Sequence, residues 1–77
     1  MTESNKKLMN SLKEQYGTYE NLLQEDWRLA EQYRVGEISW DDFIGMENDV
    51  LQAIAFWQWY MITEDRERRR EEMRAVT

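Results

Sequence analysis

Asp41, Asp42, Glu47 and Asp49 form the most acidic stretch of the sequence, and carboxylates spaced this closely could hold a divalent cation or exchange a proton. No lysine or arginine interrupts residues 35–62. On a helix, however, Asp42 and Asp49 share a side about 10 Å apart by helical rise, while Asp41 and Glu47 point elsewhere. One ion cannot bridge that gap. The expected role is a solvated face that stabilises the start of a helix. The remaining chemistry is narrow. The 77 residues contain neither cysteine nor histidine, which excludes disulfides, imidazole or thiol nucleophiles and zinc fingers. No glycine-rich phosphate loop is present. The sequence therefore predicts no enzymatic activity, no metal and no cofactor.

Residues 31–43 carry the clearest local signal. Gly36, Ile38, Ser39 and Asp42 fall at the sixth, eighth, ninth and twelfth positions of an EF-hand calcium loop. Its first, third and fifth ligand positions would be Glu31, Tyr33 and Val35, two of them without a suitable oxygen. The segment reads instead as a turn between helices. Gly36 ends one helix in the left-handed conformation, Ser39 caps the next, and Asp41 and Asp42 occupy its first turn. Ile38 before the cap and Phe43 at the fourth helical position suit a hydrophobic staple. The turn resembles the short G-x-I-[ST]-x-x-[DE]-F hairpin at the ends of many bacterial proteins, including those with a SHOCT segment, on Gly36, Ile38, Ser39, Asp42 and Phe43. The resemblance spans roughly twenty residues and implies a helical hairpin; it carries no functional residue across.

Arg66, Arg68, Arg69 and Arg70 invite a nucleic-acid reading, but residues 63–77 hold five arginines against five acids and sum to zero. Phosphate binding needs a positive field, so a salt-bridged helix end is expected and direct nucleic-acid binding is not. No 18-residue apolar run exists to span a bilayer. The absence of an apolar leader near the start makes the cytoplasm the expected location.

These residues must be positioned by helices. Proline is absent, and the three glycines lie at 17, 36 and 45. Leu8, Leu12, Tyr16, Tyr19, Leu23, Asp26, Ala30 and Tyr33 follow a seam period near 3.5 that survives Gly17. This predicts one continuous helix over about 4–34, with a kink or break at Gly17, and so a three-helix fold, as the alternative. A second seam, Phe43, Glu47, Val50, Ile54, Trp57 and Met61, predicts a helix over about 40–72. Asp26 and Glu47 sit on these seams and are expected to find a partner or an opening, because a buried lone carboxylate is costly. The fold class is all-α: a hairpin of two long helices in a single small domain over 1–77, with a charged, partly frayed tail at 63–77. Such a hairpin is too thin to cover ten aromatic residues. Dimerisation into a four-helix bundle would cover them.

The second helix carries two apolar faces. Phe56, Trp59 and Tyr60 lie away from the seam, beside the polar residues Asp42, Asp49 and Gln52. Those six residues are the expected contact surface for another chain, identical or foreign; the alternative is that the N-terminal segment of the same chain wraps this side of the helix. With a net charge of −6, the chain is expected to act as a small acidic inhibitor or regulator of a macromolecular partner, of the kind phages and mobile elements encode against host defences. Its charge would let it mimic nucleic acid against a basic groove. The alternative is a self-assembling structural or adaptor bundle without inhibitory activity.

Overall fold

The computed structural model describes residues 2–76, the last of them by its backbone alone, and they form three helices: α1 (Glu3–Tyr16), α2 (Tyr19–Arg34) and α3 (Trp40–Val76). The single helix expected over 4–34 is therefore two helices. Gly17 has φ 82° and ψ −66°, and the Thr18 N–H donates to the Tyr16 carbonyl at 3.1 Å, closing a tight three-residue turn. Thr18 then caps α2, its hydroxyl accepting from the Asn21 N–H at 3.2 Å. A glycine stop followed at once by a threonine start outweighs the seam period that runs through both.

The second connection forms as the residue types dictate. Gly36, at φ 82°, donates to the Tyr33 carbonyl and Glu37 donates to the Gln32 carbonyl, the paired bonds of a Schellman end. The Ser39 hydroxyl accepts from the Asp42 N–H at 3.3 Å, and Ile38 is half-buried against the cluster that includes Phe43. The loop's backbone is thus committed to capping two helices. Among the described residues no three acidic side chains converge as a cation would require.

Aromatic pairs fix the antiparallel alignment of α2 and α3. Tyr33 stacks on Phe43 at 4.9 Å and meets Trp40 at 5.3 Å near the turn. At the far end Tyr19 lies 6.0 Å from Trp57, and its hydroxyl accepts from the Gln58 amide at 2.6 Å. Gly17 then reverses the chain, so that Leu8 and Leu12 of α1 share a groove with Asp49, Gln52, Ala53 and Phe56 of α3. The core gathers one stripe from each helix: Met9 and Leu12, Leu22 and Leu29, and Phe43, Val50, Ala53 and Trp57.

The α3 seam holds at Phe43, Val50 and Trp57, with Ile54 packed beside it, but Met61 lies exposed past the end of α2. The earlier seam shifts by one residue. Met9, Leu22 and Leu29 are buried, whereas Leu8, Leu23 and Ala30 are exposed. With a third helix present, the residue aimed between two neighbours is the one buried. Asp26 and Glu47 are half-buried at the edges, with an opening to water.

α3 has 37 residues, about 55 Å by helical rise, and sets the longest dimension of 59 Å. Its core partners end at Tyr60. The remaining turns run on as helix to Val76, beyond the expected end near 72; Thr77 lies outside the described residues. No helix among the described residues is long and apolar enough to cross a membrane.

Candidate interaction surface

Of the six residues expected to form one contact surface, Asp42, Asp49, Gln52 and Trp59 are exposed. Phe56 and Tyr60 are half-buried and packed against the core, with ring centroids 6.1 Å apart. Asp49 and Gln52 line the groove that Leu8 and Leu12 enter. The N-terminal segment of the same chain thus covers much of this side of α3. Asp42 is exposed in the first turn of α3, its backbone N–H committed to Ser39. Trp59 alone among the three aromatics stands open, resting an edge on Phe56 at 5.7 Å.

A different surface lies on the side away from α1. On α3, Ile44, Leu51, Ala55 and Ile62 are turned about 130° from the residues that α1 touches, at 100° per residue. On α2, Leu23, Trp27 and Ala30 occupy the flank next to Tyr19 and Tyr33, whose rings meet Trp57, Trp40 and Phe43 of α3. Leu23, Trp27, Tyr33, Trp40, Leu51 and Ile62 are all exposed, and Trp27 stands beside the polar back of α2. Trp27 had no place in either seam. Its signal was the spacing of Leu23, Trp27 and Ala30, a second helical stripe running beside Leu22 and Leu29.

Two ion pairs lie along α2. Arg28 donates to Glu25 through both Nε and Nη2, the former at 3.0 Å, and Arg34 grips Glu31 in the same way. The hydrogen bond from Arg28 holds the Glu25 carboxyl below its ordinary range, against a smaller opposing effect of burial. Arg34 does the same for Glu31. A shallow depression beside Trp27 is lined by Gln24, Arg28, Glu31, Gln32, Val35 and Glu37. Such an arrangement can bury aromatic area and orient a charged partner; it does not assemble a nucleophile with a base.

Comparison with protein-family models, curated proteins and solved structures finds no match to this chain.

Proposed function

We propose that the chain is a small acidic protein-binding module that inhibits or regulates a macromolecular partner without catalysis. One observation carries this reading. Of the four tryptophans, only Trp57 is buried, at 5% exposure, while Trp27, Trp40 and Trp59 are 78%, 54% and 46% exposed. Tryptophan is large and apolar, and a folded monomer normally covers most of it. Exposed tryptophan marks a binding surface, where Trp is the residue type most enriched among energetic hot spots. The net charge of −6 favours a partner with a basic surface. Competition with nucleic acid for a basic groove, as a phage-encoded or mobile-element inhibitor would achieve it, fits both features.

Affinity capture from the native host tests this reading. The expected result is one stoichiometric protein with a basic surface, released by salt and lost on Trp27→Ala with Trp40→Ala while the helical circular dichroism persists. Retention of the same partner by that double variant would refute the assignment. The second reading, a self-assembling bundle, draws on the bare C-terminal half of α3.

A further inference from the structure

We infer that the outer stripe of α3 is a self-docking seam, on which a second copy of the chain lies antiparallel. The inference deepens the binding-module reading by assigning one of its surfaces to self-association. Ile44, Leu51, Ala55, Trp59, Ile62 and Met73 follow one side of the helix at near-heptad spacing. Asn48, Arg66 and Arg69 fill the intervening steps. Leu51, Trp59, Ile62 and Met73 are exposed, and the core beneath them ends at Tyr60. The stripe therefore continues past the body of the molecule, along turns that no other helix of the chain reaches.

Charge selects the occupant and its direction. All of the net −6 lies in residues 1–62, while residues 63–77 carry the five arginines that follow Arg34. With the two-fold axis near Gln58 and Trp59, Ala55 meets Ile62 of the second copy and Ile44 meets its Met73. In that register Glu47 lies on the same flank as the second copy's Arg69, and the arginine run at 66–70 lies level with residues 47–51. A parallel pairing would place acid on acid and arginine on arginine. Arg68 and Arg69 already share Asp65 within the chain, an exposed pairing weak enough to be exchanged.

The surface area agrees. A compact chain of 9.5 kDa exposes about 5,000 Å². This one exposes 6161 Å². The excess is comparable with the roughly 800 Å² that each partner contributes to a standard interface.

Sedimentation equilibrium and a spin-label distance test the seam. The chain has no cysteine, so Glu71→Cys, outside the stripe, gives a unique label. Antiparallel docking places the two labelled backbones about 40 Å apart by helical rise, and parallel docking places them within about 10 Å. The expected results are a dimer at micromolar concentration, the long distance, and self-association weakened at least tenfold by Ile62→Glu with the helical circular dichroism unchanged. A monomer at 100 µM, the short distance, or a dimer indifferent to Ile62→Glu would each overturn the proposal. A monomer that still captures a basic partner through Trp27 and Trp40 overturns self-docking alone. A dimer that captures none leaves self-docking standing and removes the regulatory reading.

Discussion

At the scale of single residues, tryptophans of one chemical type take opposite roles, and substitution separates them. Trp57 is buried among the helices, so Trp57→Ala should cost about 3–5 kcal/mol, measured by urea unfolding. Trp27→Ala, on the open face, should change stability by no more than about 0.5 kcal/mol. Glu25 supplies a pH test. Its pKa is lowered in the folded chain from an ordinary 4.5 by Arg28. A depressed carboxylate contributes stability that is fully present above the unfolded value and disappears as pH falls through the folded one. Arg28→Ala should return the Glu25 carboxyl, followed by NMR titration, towards 4.5, and should flatten the loss of stability on acidification below that pH. The role of Trp27 was hard to read because its stripe, with Leu23 and Ala30, runs beside the buried one; exposure becomes visible only when the neighbouring helices are placed.

At the scale of helices, the connection at residues 35–39 was legible because every signal in it is local. Gly36, Ile38, Ser39 and Phe43 each act within a few residues, and the bonds they make are those their types favour. Ser39→Ala should therefore cost about 1 kcal/mol, seen as a lower melting temperature with unchanged helix content. The break at Gly17 was written equally locally, as Gly-Thr, but the apolar period passed through it unchanged and argued for continuity. The one-residue shift from Leu8, Leu23 and Ala30 to Met9, Leu22 and Leu29 has the same origin. A seam read from one helix cannot report how many neighbours it will have. Of the candidate surface, Trp59, Asp49 and Gln52 remained exposed, while Phe56 was half-buried beside a helix that the continuous-helix reading sent elsewhere.

At the scale of the whole molecule, the chain is long for its size. Its radius of gyration is 16.5 Å, against about 11.5 Å for a compact chain of this length. The excess comes from α3 running beyond its partners, so ending the chain after Thr63 should leave the melting temperature within a few degrees and abolish self-association in the ultracentrifuge. Gly17 adds a consequence of its own. It is the sole hinge about which α1 reverses onto α3, and its φ of 82° is one that side chains with a Cβ adopt only under strain. Gly17→Ala gives that turn a reason to straighten, and a straight α1–α2 carries Met9 and Leu12 away from their own α3. The groove they vacate is identical in every copy, so the released segment can fill its neighbour's. Gly17→Ala is therefore expected to yield a domain-swapped pair, seen in the ultracentrifuge as a dimer that persists when Ile62→Glu is added.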